Sequence, residues 1–272
     1  MTDQHVDTPA GPALPESATL ADGAVVRSLT EVSELEAACR LYRDVFSYSG
    51  EDQGINARLL KNLTTYGGTV VGAVASSGEV HGMAFGWTAV DTGAEDPHVY
   101  HFSQAAVVSQ DMQGQGVGRA LKNVQAAVAH RKGASRMRWT YNPMISRNAH
   151  FNLDVLGARG RWFTRDALAG PGTDRITVEW RLDGTAAEPA PRTDAEDLDA
   201  ELGVDELTRP GQIQMQADAA LLAVPAQQPT DGEVIDLLRT RFSDLFDHGF
   251  VATSCHRTTP ELAVYSFLRE RA

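Results

Sequence analysis

The sequence predicts an α/β protein built on a mixed, mostly antiparallel sheet. Three observations carry that reading. Strand-like and helix-like apolar patterns alternate between residue 25 and the C-terminus. Two apolar runs, TVVGAVAS (69–76) and VHGMAFGWTAV (80–90), are separated by the turn signal SGE, which predicts a hairpin. A valine-rich strand, VYHFSQAAVVS (99–109), runs straight into DMQGQGVG, and an amphipathic helix follows.

Taken in order, AVVRSL (25–30) reads as a strand, residues 33–49 as a helix, and residues 56–67 as a second helix stopped by Gly67 and Gly68. After the hairpin and the third strand, Val117, Leu121, Val124 and Val128 recur on one helical face. Arg119, Lys122, Asn123 and Gln125 fall elsewhere, so that side is expected to be wet. His130, Arg131, Lys132 and Gly133 supply the cations and glycine that suit a helix C-terminus. SRMRWTYN (135–142) is a strand broken by Pro143, and Ala149, Leu153 and Leu156 mark a short helix with Ser146 as N-cap and Gly157 as stop. Residues 159–164 and 175–182 are strands. Further on come the segment 213–224, a helix with Val234, Leu238, Phe242 and Leu245 on one face, and strands 250–256 and 263–268 joined by RTTPEL.

The chain has 272 residues, 42% of them apolar, enough to bury a full core. Its net charge of −12 is confined to two places. Residues 1–22 carry four acids and no base, and residues 183–206 carry nine acids against Arg192 alone, so the rest is balanced. Residues 1–22 therefore read as a disordered lead and 183–211 as an acidic linker with one short helix, leaving residues 23–182 as the main domain and 212–272 as an extension that completes or packs on it. Nucleic acid is not an expected partner of so acidic a chain. No apolar run reaches the length of a membrane span and no secretory signal is legible, so a cytoplasmic location is expected. Cys39 and Cys255 stand far apart without metal-ligand spacing and read as ordinary buried thiols, and no metal is expected.

The glycines pose the functional question. A P-loop needs Gly-Lys-Ser/Thr at a spacing that is not present, and a dinucleotide fingerprint would need glycine where Arg119 or Leu121 stands. What fits is Gln-x-x-Gly-x-Gly, with Gln113, Gly116 and Gly118, between a strand and a helix. Glycines admit close backbone approach, and a helix N-terminus adds partial positive charge, which together suit a pyrophosphate.

Strand, Gln-x-x-Gly-x-Gly, amphipathic helix, strand, and short helix ending in Leu-Gly resembles the GCN5-related N-acetyltransferases (GNATs). More narrowly, WTYNPMISRNAHFN (139–152), Thr173-Asp174-Arg175 and HGFVAT resemble a bacterial subgroup of that family, with the likeness strongest over 99–182. The resemblance implies a twisted sheet flanked by helices and splayed at the coenzyme A site, with a C-terminal helix and hairpin added. It implies acetyl-CoA or another acyl-CoA as cosubstrate and a small-molecule amine as acceptor, with no membrane or nucleic-acid partner. Carried over residue by residue, Gln113, Gly114, Gln115, Gly116, Val117, Gly118 and Arg119 would hold the pyrophosphate. Val107 and Val108 would pair with the pantetheine as an added strand does, a strand amide near Val107 would hold the oxyanion, and Asn148 would lie near the pantetheine or adenine end.

One departure stands out. Many members place a tyrosine ahead of Leu-Gly as the acid for the leaving thiolate, and here Leu153 occupies that position. Tyr141 and Asn152 are the nearest substitutes. His101 is the candidate base or water relay, on the same strand face as Ser103 and opposite Gln104. Ser103, Asp174 and Arg175, with Glu179, are the candidate acceptor site, the rival being a structural ion pair. Trp87 and Trp162 are candidates for an apolar pocket. Alternatives of a different class remain: a coenzyme A-binding protein without catalysis, a partner-binding protein that uses the acidic segment, and a homodimer contact through the C-terminal helix and hairpin.

Overall fold

A computed structural model describes residues 15–50, 53–93, 97–168, 170–182 and 198–270. Of the stretches read as a disordered lead, 1–22, and as an acidic linker, 183–211, residues 1–14 and 183–197 lie outside the described residues. The described residues form two compact units, those up to 137 with 181–182, and those of 138–180 with 198–270. The break falls inside the stretch 23–182, at Met137.

In the first unit, β1 (Ala18–Thr19), β2 (Val25–Ser28), β3 (Thr69–Val74), β4 (Val80–Asp91) and β5 (His98–Val108) lie side by side in chain order, antiparallel throughout. The expected hairpin is β3–β4. Helices α1 (Val32–Phe46) and α2 (Ala57–Thr65) cover one face of this sheet and α3 (Val117–Arg131) the other. The period-two alternation of β3 decides which residue meets which helix. Val70 and Val74 pack with Leu35, Ala38 and Leu60, whereas Val71 and Ala73 pack with Val117, Leu121 and Val124. Asn56 caps α2 by accepting the Leu59 N–H at 2.9 Å.

The second unit contains β6 (Arg136–Tyr141), which straddles the break, α4 (Ser146–His150), a π-turn (Phe151–Val155), β7 (Arg159–Thr164) and β8 (Arg175–Arg181). These are followed by β9 (Ile213–Met215), β10 (Ala219–Pro225), α5 (Gly232–Asp247), β11 (Phe250–Arg257) and β12 (Leu262–Arg269). Its strand order is β6-β8-β7-β11-β12-β10-β9. The segment 213–224 is thus an antiparallel hairpin, β9–β10. Phe242 of α5 packs edge-on against Tyr265, with Phe163, Phe246 and Phe267 around them. The opposite face of β10 is covered by Leu202 and Leu207, so the latter part of the stretch read as a linker carries buried apolar side chains.

The expected mixed α/β architecture, a mostly antiparallel sheet flanked by helices, is present. No helix among the described residues is long and apolar enough to cross a membrane.

Two details depart from the sequence reading. Ser146 is the first helical residue, not the N-cap, which is Ile145; the Ser146 hydroxyl instead donates to the Ala226 carbonyl at 2.9 Å. The side of α3 expected to be wet is partly core: Lys122 is 3% exposed and Gln125 is fully buried. Helical periodicity had placed them off the apolar stripe, but polar residues of β3 and β5 meet them there.

Candidate functional site

The loop that ends β5 belongs wholly to the first unit. After a single 3₁₀ turn (Gln110–Met112) the chain turns through Gly114 and Gly116, both left-handed, with φ of 80° and 82°. A side chain at either position would be strained by that backbone. Nothing lies within 4 Å of where a Cβ would stand on either glycine, so a ligand meets no side chain there. Gly116 is the N-cap of α3 and offers no side chain to its first N–H groups; the first turn carries no acid. Gly118 lies in that first turn. Val117 is buried against the sheet and anchors the turn, while Gln113, Gly114, Gln115, Gly116 and Arg119 are exposed.

The side chains of the loop tighten it from behind. Gln113 Nε2 donates to the Val108 carbonyl at 3.3 Å and Gln115 Nε2 to the Asp111 carbonyl at 2.8 Å. Val108 pairs with Gly82 and Val107 with Met83 on β4. Beside the loop, a cleft of about 870 Å³ runs between α1 and the β3–β4 turn, bordered by Arg40, Asp44, Glu79, His81, Asp111 and Gln113.

Further back on β5, His101 and Ser103 share one face, as alternation predicts, and Gln104 is exposed. The register skips Gln104: Gly86 pairs with Ser103 and Phe85 with Ala105. This bulge turns His101 and Ser103 toward α3 while Ala105 and Val107 pack with α1 and α2. His101 has no solvent exposure. Its Nε2 lies 3.0 Å from Thr69 Oγ1, and its pKa is lowered to about 3, chiefly by burial and then by the charges of Lys122 and Lys132. A ring in that state takes no proton at neutral pH. Burial also lowers Lys122 to about 7.

The remaining candidates belong to the second unit. Asn152 accepts from Trp139 Nε1 at 2.7 Å and donates to the Asn148 carbonyl at 2.8 Å, so its amide binds neighbouring protein groups. The Tyr141 hydroxyl is buried without a hydrogen bond among the described residues; burial raises its pKa well above the ordinary tyrosine value, with the Tyr265 hydroxyl nearby. Asn148 is exposed on α4. Asp174 is ion-paired with Arg239 at 2.8 Å and accepts the Asp166 N–H, and Arg175 donates to the Asp174 carbonyl. Glu179 pairs with Arg138 at 2.7 Å and Arg161 at 3.1 Å. Both carboxylates sit in ion-pair networks, the rival arrangement foreseen for them. Leu153 is 1% exposed. Trp162 lies half-exposed beneath the Arg138 guanidinium, and Trp87 packs on Phe102. Both cysteines are free; Cys255 is buried and Cys39 half-buried, with burial raising both thiols.

Sequence reasoning missed the Gln104 bulge and the polar set on α3. The spacing of Lys122 and Gln125, one turn apart and facing a strand with His101 and Ser103 at alternate positions, was the available signal.

Neither the known family models nor the curated proteins match this sequence. Among solved structures, the GNAT domain of S. lividans PAT is similar over 61% of this chain and 95% of its own, at 20% identity and a TM-score of 0.45. Aminoglycoside 6'-acetyltransferase type Ii is similar over 58% of this chain and 96% of its own, at 12% identity and a TM-score of 0.46. An aminoglycoside acetyltransferase from an uncultured soil metagenomic sample, solved in complex with sisomicin, covers 43% of this chain and 77% of its own, at 17% identity and a TM-score of 0.37. The first of these is a GNAT domain and the other two are aminoglycoside acetyltransferases.

Proposed function

We propose that this chain is an acyl-CoA-dependent N-acyltransferase of the GNAT type, transferring an acetyl group from acetyl-CoA to the amine of a small molecule such as an amino acid or a pathway intermediate. The observation that carries the reading is the N-terminus of α3: a first turn without a side-chain cap, entered through two left-handed glycines with open space where their side chains would stand. Unhindered N–H groups at the positive end of a fifteen-residue helix suit the doubly charged diphosphate of a thioester carrier. In this reading Gln113 to Arg119 hold the diphosphate and the backbone of Val107 and Val108 receives the pantetheine. The neutral amine attacks the thioester carbonyl, a C–N bond forms, the C–S bond breaks, and the proton leaves with water. Thiolate, with a pKa near 8.5, leaves without an obligatory protein acid.

Calorimetry with coenzyme A on the wild type and on Gly116→Val tests the binding half. Release of free thiol from acetyl-CoA across a panel of amines tests the transfer half. A second reading, coenzyme A binding without catalysis, draws on the buried Leu153 in place of an acid. Binding heat with no amine-dependent thiol release would favour it.

A further inference from the structure

Residues 198–207 of the acidic stretch lie against the face of β10 and β12 opposite α5. Leu202 and Leu207 are buried there with Leu221, Ala223 and Val264, and Leu198 and Val204 pack beside them. Residues 198–202 are helical, Gly203 is left-handed at φ 70°, and a 3₁₀ turn (Val204–Glu206) follows. The two short pieces therefore join at a residue with no side chain to restrict its backbone.

Each piece is tied down by a different polar contact. The second is held at the surface, where Gln214 Nε2 of β9 donates to Glu206 Oε2 at 2.7 Å. The first is held in the interior: Asp199 is 8% exposed, and its Oδ2 accepts from His256 Nε2 of β11 at 2.9 Å. The other oxygen, Asp199 Oδ1, is buried without a hydrogen bond among the described residues.

A carboxylate taken out of water needs an opposite charge or several donors. Asp199 has one donor for two oxygens, and that donor is the side chain whose charge changes near neutral pH. Protonated, His256 supplies both the hydrogen bond and the counter-charge. Neutral, it can still donate from Nε2, but Asp199 then keeps a buried charge that nothing balances.

His256 pairs across the ladder with Val264, which puts its ring on the face that residues 198–207 cover. On that face β12 presents Leu262, Val264 and Ser266 and β10 presents Ala219, Leu221 and Ala223, none of them titratable. The charged groups toward the ring are Asp199, Asp154 and His150. Asp154 is already engaged by Ser254, Cys255 and His150. Foremost through its hydrogen bond to Asp199, the folded pKa of His256 is raised above 6.5, with Asp154 adding to the rise and His150 opposing it. The stabilisation is therefore complete below 6.5 and is lost as pH rises through the raised value.

We propose that His256 and Asp199 form a pH-operated latch: the imidazolium holds residues 198–202 on the β10–β12 face, and loss of its proton lets them swing away about Gly203 and uncover apolar surface while residues 204–207 stay seated. The latch does not depend on the acyl-CoA reading.

Amide hydrogen exchange of the full chain between about pH 6 and 9, corrected for intrinsic rates, tests it. Protection at residues 200–203 is expected to be about tenfold lower at pH 9 than at pH 6, the worth of a charge on one buried hydrogen bond, while protection at 205–215 holds. Asp199→Asn, which keeps the shape without the charge, makes protection at 200–203 independent of pH. In that variant the His256 ring, followed by its carbon-bound proton resonances, titrates closer to 6.5 than in the wild type. His256→Gln, able to donate but never charged, leaves 200–203 weakly protected at every pH. Wild-type protection at 200–203 that does not fall with pH, or a fall shared equally by 205–215, overturns the proposal without any variant having to fold. A pH dependence that survives Asp199→Asn, or a His256 titration that the substitution leaves in place, overturns it as well.

Discussion

The loop that opens α3 and the helical turn at residues 146–155 both stand where the sequence pointed to chemistry, and they differ in what their polar groups have left to give. At the loop, Gly114, Gly116 and Arg119 are exposed and no side chain closes the helix end. In the other, Asn152 is bound to Trp139 and Asn148, and Asp154 accepts from Ser254 Oγ at 2.6 Å, the Cys255 N–H at 3.0 Å and His150 Nδ1 at 3.1 Å. Residue type nominated both regions equally. Unspent hydrogen-bonding capacity separates a binding surface from a structural joint.

The sharpest way to break that contrast is to block the loop. Gly116→Val places a β-branched side chain at φ 82°, a strain of about 1–2 kcal/mol that also closes the approach to the amides. Coenzyme A affinity measured by calorimetry is expected to fall at least about tenfold, and unchanged affinity would end the assignment of the loop. Asp154→Ala is the reciprocal experiment. It removes the acceptor of three hydrogen bonds and leaves the Ser254 hydroxyl and the Cys255 N–H unmatched, while His150 Nδ1 keeps the Cys255 carbonyl at 3.0 Å, so urea denaturation is expected to show a loss on the order of 2–3 kcal/mol, with coenzyme A affinity unaltered in the folded fraction. A drop in affinity equal to that of the glycine variant would erase the distinction between the two regions.

How far the sequence reached follows the same division. The strand, turn and helix around Gly114 and Gly116 were legible because local rules determine them: valines at strand spacing, glycines at positive φ, and an apolar stripe from Val117 to Val128. Lys122 and Gln125 were misread as wet because burial of a polar side chain depends on what meets it from elsewhere in the chain, here Ser103 and Thr69, which a helical pattern does not contain. The bulge at Gln104 was invisible for a related reason. Strand alternation continues through it in the sequence, with His101, Ser103, Ala105 and Val107 all at odd positions, while the face they point to changes midway. The second hairpin, 213–224, was found as a segment without a type, since Gln214 and Gln216 break its apolar run before the fully buried β10 begins.

The comparison of the two units sharpens further in their response to pH. In the first unit His101 and Lys122 both have folded pKa values below their ordinary ones, about 3 against 6.5 and about 7 against 10.5. For each, the unfolded chain holds a proton that the folded one does not, so stability is present above the ordinary pKa and is lost as pH falls toward the folded value. The window is 10.5 down to about 7 for Lys122 and 6.5 downward for His101. In the second unit His256 is raised, first by its hydrogen bond to Asp199 at 2.9 Å, so its contribution is present below 6.5 and is lost as pH rises through the raised value. Hydrogen exchange followed by mass spectrometry from about pH 5.5 to 9, corrected for intrinsic exchange rates, is expected to show protection of β5 and α3 growing with pH and protection of β11 declining around His256. Lys122→Met flattens the first trend above neutrality and leaves the second alone. Parallel trends in both units would mean that these buried groups do not govern local stability.

The smallest expected effect concerns Arg119, exposed in the first turn of α3 with no ion pair among the described residues. A guanidinium at the positive end of a helix gains nothing from the helix dipole, so its presence there is useful only toward an anion. If the amides supply most of the grip, Arg119→Ala weakens coenzyme A binding by only about two- to threefold at low ionic strength, in keeping with an exposed charge pair. The difference between wild type and variant then shrinks at about 1 M salt, where the Debye length is about 3 Å. The glycine variant behaves oppositely: its deficit comes from backbone geometry and steric closure, which salt does not screen, and it persists across the same titration. A large, salt-sensitive loss at Arg119 with a small one at Gly116 would relocate diphosphate recognition from the helix amides to the side chain.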